Sequence, residues 1–308
     1  MAMSPAELRS RLEGVIAFPV TPFTAQLELD LPALRENVEF MVAGGIHALV
    51  AAGGTGELYS LTPEEHRQVV RTVVEAVRGR VPVIAGSGFG SALGRLLARQ
   101  AEEAGADGIL VLPPYYVNAD PEGLLDYYRH VAGAVSLGVF PYSRDWVTFT
   151  PTTLRKLADI PNVVAYKDGQ GDLRAFSRLQ HALGDRFLWL GGVGDDMVAG
   201  YFAAGAKGFT SSVANYMPEV SVELFEQAKS GNFQRVRELT AEKIQAFYDL
   251  RVSRRGYEVA MVKEAMELLG RKAGPVRPPL VNVAPQDRER LRAALDAAGV
   301  RAVAQVGR

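Results

Sequence analysis

Eight short apolar runs, each bounded by Gly or Pro and each followed by a helix-length stretch, constrain this chain more than any other feature. The runs are residues 15–20, 48–52, 81–85, 108–112, 137–140, 163–167, 187–190 and 208–210. Consecutive β-branched residues mark strands buried on both faces. The stretches between and after them, residues 31–43, 63–77, 92–104, 123–134, 152–157, 173–182, 195–204 and 218–229, carry helix signals. Thr62-Pro63-Glu64-Glu65 supplies an N-cap, a proline at the first helical position and acids in the first turn. Ala43-Gly44-Gly45, Ala104-Gly105 and Ala204-Gly205 supply glycine stops. Strands of this kind joined by helices form a parallel sheet covered on both faces. Eight such units fit a closed (β/α)8 barrel better than an open doubly wound sheet, because that barrel takes about 250 residues. The expected architecture is therefore α/β, a TIM barrel over residues 1–230. Residues 231–308 then form a C-terminal helical extension packed on the barrel as one structural unit. Its helices are expected at 233–250, 257–269 and 287–298, with Gly274-Pro275-Val276-Arg277-Pro278-Pro279 as a connector.

Composition narrows the chemistry. Lys and Arg number 34 against 35 Asp and Glu, a net charge of −1, so the basic surplus of a nucleic-acid binder is missing. Apolar runs are strand-length, far short of the roughly 20 residues that span a bilayer. The segment from Met1 to Glu13 has no apolar core like that of a signal peptide, and the expectation is a cytoplasmic enzyme. With no cysteine, thiolate chemistry, disulfides and cysteine-ligated metals are excluded. His47, His66, His130 and His181 are isolated and show no metal-ligand spacing. There is no Gly-x-Ser-x-Gly elbow, and Gly86-Ser87-Gly88-Phe89-Gly90 lacks the full dinucleotide-loop pattern.

In a barrel of this kind the active site lies at the C-terminal ends of the strands, and that rule ranks the polar residues. Lys167 ends an otherwise apolar sixth strand, where a lysine loses its charge readily and can attack a carbonyl to form an imine. The commoner fate of a single strand-end lysine is a solvated pair with its neighbour, here Asp168. Tyr142 ends the fifth strand, either as a proton shuttle or as a hydrogen-bonded rim tyrosine. Gly53-Gly54-Thr55-Gly56 exposes backbone N–H groups beside a hydroxyl, a nest for a carboxylate or simply a tight turn. Asp195 and Asp196 read as acids at a helix N-terminus, favoured by its dipole, ahead of metal ligands.

Taken in order, Gly53-Gly54-Thr55-Gly56-Glu57, Pro114-Tyr115-Tyr116, Tyr142, Lys167 and Ser211 to Asn215 resemble the dihydrodipicolinate synthase and N-acetylneuraminate lyase superfamily. The resemblance runs from about Val15 into the C-terminal helices. Tyr142-Ser143-Arg144-Asp145, Lys167-Asp168-Gly169-Gln170-Gly171-Asp172, Arg254-Arg255-Gly256-Tyr257 and the Gly274 connector are similar to its 5-dehydro-4-deoxyglucarate dehydratase branch. That branch more often has Asn where Ser143 stands, and the synthases have Thr where Gly54 stands. Gly194-Asp195-Asp196 looks more like the synthase and lyase versions of the seventh-strand loop. An acidic pair there repels a dicarboxylate unless it points away or binds hydroxyls.

The resemblance implies a class I lyase acting on an α-keto sugar acid, with Lys167 forming the imine and Tyr142 relaying protons. The keto-acid carboxylate is expected on Gly54, Thr55 and Gly56. Arg144 is expected on the distal carboxylate or neighbouring hydroxyls, with Ser143, Ser211 and Ser212 as further substrate contacts. Tyr116 is expected to enter from a neighbouring subunit of a homotetramer, a dimer of dimers. No metal or organic cofactor is implied. The rivals are an aldolase for another keto-deoxy sugar acid, a synthase-like condensing enzyme, a non-catalytic small-molecule sensor and a phosphate-binding barrel enzyme.

Overall fold

The computed structural model describes residues 2–300. Eight parallel strands close into a barrel in chain order. They are β1 (Gly14–Ala17), β2 (Ala48–Ala51), β3 (Val83–Phe89), β4 (Gly108–Pro114), β5 (Gly138–Ser143), β6 (Ala165–Asp168), β7 (Leu188–Gly191) and β8 (Gly208–Ser211). β1 pairs with β8, Gly14 opposite Gly208 and Ala17 opposite Ser211, which closes the sheet and removes its edges. The outer helices include α2 (Leu31–Ala43), α3 (Pro63–Val77), α4 (Ser91–Glu103), α5 (Pro121–Ala132), α6 (Pro151–Ala158), α7 (Leu173–Leu183), α8 (Val198–Ala203) and α9 (Pro218–Lys229). Side-chain caps start most of them: Asp30, Asp120, Thr150 and Asp172 each accept a backbone N–H, and Thr62 with Glu65 forms a reciprocal capping box.

Several expected boundaries move, for local reasons. β1 stops at Ala17 instead of reaching Val20, because Pro19 has no N–H to donate and the Val20 N–H goes to the Asn215 side chain at 3.0 Å. β3 continues through Gly86-Ser87-Gly88, beyond its expected end at residue 85. A Cβ on Gly86 would lie 2.0 Å from the Ala52 carbonyl oxygen, so the strand can pass there only as glycine. The expected helix at 195–204 begins properly only at Val198, after a 3-10 turn from Asp195 to Met197. An unanticipated helix, α1 (Pro5–Ser10), lies under the barrel. Its Leu8 is fully buried, and a Cβ on Gly108 or Gly138 would come within 2.7 Å of Leu8 Cδ2, so this leucine plugs the floor where β4 and β5 begin.

After β8 and α9 come α10 (Phe233–Leu239), α11 (Gln245–Val252), α12 (Tyr257–Leu268) and α13 (Pro285–Ala297). The single helix expected at 233–250 is divided by a π-helical turn, Thr240–Ile244. α10 packs on α8 and α9, and α12 reaches the turn that follows β8. Residues 301–308, which the expected extension includes, lie outside the described residues. No helix of the described residues is long and apolar enough to cross a membrane.

Candidate active site

The C-terminal ends of the strands surround a cavity of about 440 Å³ lined by residues from both barrel and extension. Its centre is a strand pair. β5 and β6 run in a register that sets Tyr142 opposite Lys167 and Ser143 opposite Asp168. Because side chains alternate across a strand, the first pair faces the cavity and the second faces the helices.

Lys167 is 5% exposed. Its Nζ lies 3.6 Å from the centroid of the Tyr142 ring and 4.7 Å from that of Phe18. Burial lowers the lysine pKa from its ordinary value; the neighbouring Tyr142 phenol opposes that shift, and the positive charge of Arg144 adds to it. The solvated pair with Asp168 does not form. The Asp168 carboxylate turns to the other face, where it accepts the Tyr201 hydroxyl and the Gly171 N–H at 3.0 Å, and burial raises its pKa. Space for the lysine stem depends on Gly192, where a Cβ would sit 2.7 Å from Lys167 Cγ and 2.8 Å from Cε. Gly169 does the same for Tyr142, whose Cε2 would be 2.5 Å from a Cβ there. The result is an amine in an apolar wall with a phenol beside it, suited to carbonyl addition and proton transfer.

The glycine-rich loop after β2 packs against the same Phe18 ring that flanks the amine. Gly54 and Thr55 line the cavity. Gly56 instead turns into the loop, its carbonyl accepting from Thr21 Oγ1 at 2.7 Å. Next in the chain, Glu57 is fully buried with a left-handed φ of 54°, ion-paired to Lys263 of α12 at 2.6 Å. It also accepts the Arg277 N–H at 3.0 Å. The Arg277 side chain reaches Glu65 and the backbone oxygens of Leu27 and Ser60. The extension therefore fastens this loop from behind.

Other expected contacts divide. Arg144 lines the cavity near its rim, with its side chain 45% exposed and 3.4 Å from Asp145. Ser143 does not reach the cavity: its hydroxyl donates to the Val147 carbonyl at 2.9 Å on the helix-facing side. Ser211 lines the floor, its Oγ engaged with Ser221 Oγ and the Ala214 N–H, both at 2.9 Å. Ser212 presents its Oγ to Arg251. Tyr116 is 85% exposed and lies outside the cavity, whereas Tyr115 lines it.

The acidic pair sits where the sequence suggests, in the first 3-10 turn leading into α8, but Asp195 has partners beyond that terminus. Asp195 is fully buried, with its carboxylate accepting from Ser221 Oγ at 3.2 Å and from the Tyr248 hydroxyl at 3.0 Å; burial raises its pKa. It faces the α11 side, and Asp196 is half-buried beside it, so neither lines the cavity. Among the described residues, no three His, Asp or Glu side chains come together as metal ligands.

Sequence reading misses Arg251, Tyr248, Tyr59, Trp146 and Glu258. Arg251, Tyr59, Trp146 and Glu258 line the cavity; Tyr248 holds Asp195 in place behind it. Three of the five, Tyr248, Arg251 and Glu258, come from the extension. The available signal was the i,i+3 spacing of Tyr248 and Arg251, which puts both on one helix face.

A model of the dihydrodipicolinate synthetase family matches residues 11–298. The chain is 42% identical over 283 residues to a Saccharopolyspora erythraea protein named "Probable 5-dehydro-4-deoxyglucarate dehydratase", covering 91% of this chain and 92% of that one. It is 38% identical over 289 residues to a Bradyrhizobium diazoefficiens protein of the same name, covering 92% of each. Among solved structures it resembles dihydrodipicolinate synthase from Oceanobacillus iheyensis, with a TM-score of 0.90 and 30% identity over 96% of this chain and 99% of that one.

Proposed function

Since the chain belongs to the dihydrodipicolinate synthetase family, we propose that it is a lysine Schiff-base lyase, a decarboxylating dehydratase that converts 5-dehydro-4-deoxyglucarate to 2,5-dioxopentanoate. The observation that carries the reading is the buried Lys167 amine held 3.6 Å from the Tyr142 ring in an apolar wall. The relatives' shared name supports the substrate and the outcome.

The keto acid enters with the carboxylate beside its ketone against Gly54 and Thr55. The neutral Lys167 amine adds to the ketone, and loss of water leaves a protonated imine. Electrons from the adjacent C–H bond flow into the imine, the proton departs and an enamine forms. The enamine expels the β-hydroxyl, which leaves as water with a proton delivered through Tyr142. The conjugated imine so produced accepts the electron pair of the bond to the distal carboxylate, which leaves as CO2. Reprotonation and hydrolysis return Lys167 and release the product. Arg144, at the rim beside Tyr142, faces the phenol and the substrate hydroxyls. No step calls for a metal or organic cofactor. The enzyme works in the cytoplasm as a homotetramer, a dimer of dimers, in which the exposed Tyr116 meets a neighbouring subunit.

Borohydride added with pyruvate or substrate is expected to leave a mass adduct on Lys167, and an adduct elsewhere, or none, overturns the imine. Tyr142→Phe is expected to lower turnover by about 10² to 10⁴ with the fold intact. Product analysis separates the aldolase alternative, which releases pyruvate instead of CO2.

A further inference from the structure

The cavity contains a cation that no carboxylate touches directly, although Asp195 acts on it through space. Arg251 projects from α11 into the wall beside β8. Among the described residues, no carboxylate oxygen lies within ion-pairing distance of its guanidinium. Nη1 donates to Ser212 Oγ at 2.9 Å, and the plane lies 4.7 Å from the centroid of the Tyr248 ring. Asp195, whose charge reaches Arg251 only through space, already accepts from Ser221 and Tyr248. A guanidinium has five donors in a fork that matches a carboxylate, and this partly buried one gives a single donor to Ser212 Oγ, which leaves others for an anionic ligand. Arg144 contrasts at every point, being half-exposed and already beside Asp145. The two ends of the cavity are joined by the loop after β7. Gly192 lies against the Lys167 stem, and a Cβ on Gly194 would touch the Tyr248 hydroxyl at 2.4 Å. Two residues of extended chain span roughly 7 Å, so the amine and the guanidinium lie on neighbouring walls.

We propose that Arg251, oriented by Ser212 and the Tyr248 ring, is the subsite for the substrate's distal carboxylate, which makes the enzyme selective for α-keto acids that carry a second carboxylate. The inference rests on the imine reading above and adds the residue that selects the substrate. The C–C bond cleavage draws charge away from that carboxylate, so Arg251 holds the ground state at least as tightly as the transition state. Its loss therefore raises KM without a matching fall in kcat.

The test compares 2-oxoadipate, a six-carbon keto acid with a distal carboxylate, with 2-oxohexanoate, which lacks it. Both are trapped on Lys167 with borohydride across a concentration series. The native enzyme is expected to half-saturate at a concentration lower for 2-oxoadipate by about tenfold or more, the contribution of a charge-assisted hydrogen bond. Arg251→Met is expected to erase that preference while leaving 2-oxohexanoate and pyruvate trapping unchanged, and Arg251→Lys to restore part of it. A preference that survives in Arg251→Met, or an equal loss for both keto acids, overturns the proposal. Should Arg251→Met not fold, Ser212→Ala is read instead, with a several-fold loss expected for 2-oxoadipate alone and no change overturning it. If neither keto acid adds to native Lys167, the imine reading falls. Calorimetry with adipate against hexanoate then decides the subsite, with adipate binding expected in the native enzyme and lost in Arg251→Met.

Discussion

Lys167 is kept buried at the expense of stability. The fold encloses its amine between two aromatic rings and lowers its pKa by burial. The unfolded chain titrates it near about 10.4. Between the lowered folded value and that range the unfolded chain binds the extra proton, so stability rises with pH across the window. Below the folded value the whole penalty is present. Lys167→Met is therefore expected to raise Tm at neutral pH, by most at acidic pH and by a gain that vanishes once pH passes about 10.4. Thermal melts across a pH series check this, and a Tm that falls on substitution, or a gain that grows toward alkaline pH, contradicts it. At this scale the sequence was readable where chemistry and position coincide: a lysine and a tyrosine at two strand ends. It was not readable where one residue of alternation decides the face, which is why Ser143 turns to Val147 while Tyr142 turns inward. Nor did it show Arg251, whose partner Ser212 is far away in sequence and near only in the folded chain.

Among the elements, the extension beyond α9 does more than cover the barrel. α12 supplies Lys263 to the buried carboxylate of Glu57, and the connector before α13 supplies Arg277, so the glycine-rich loop is fixed by segments from the far end of the chain. Both partners of the Lys263–Glu57 pair are almost wholly buried. Lys263→Met strands the carboxylate and is expected to cost about 3–5 kcal/mol, and Glu57→Gln in the same chain to recover most of it. Denaturant melts of the single and double variants measure both; a single variant as stable as the native chain removes the clamp. Helix positions were most legible where caps and stops bracket an apolar period: α2, α3 and α9 lie where Asp30, Thr62-Pro63 and Pro218 start them. The π-turn at Thr240–Ile244 escaped because an inserted residue leaves the composition of a helix unchanged. α1 escaped because one buried face of six residues is too short to show a period.

On the scale of the whole molecule, the barrel separates its tasks between two ends, with Leu8 plugging the floor and the chemistry gathered at the mouth. Tyr115, Tyr116 and Val117 stand 70%, 85% and 53% exposed beside that mouth, an apolar surface suited to burial against another copy. Light scattering is expected to give a tetramer, and Tyr116→Ala to lower turnover while leaving Lys167 trapping within each subunit intact. A monomer as active as the native enzyme rules out the shared site. Eight strand–helix units were enough to read the barrel from the sequence, since alternation is written locally. The extension's contribution to the cavity was not, because it depends on contacts between residues far apart in the chain. That distance has a consequence for how the protein is born. A ribosome releases β1 long before β8 exists to pair with it, and Lys167 well before Arg251. The nascent chain thus carries Lys167 in an unfinished vessel, and the cavity is complete only when the helices beyond α9 have emerged and docked.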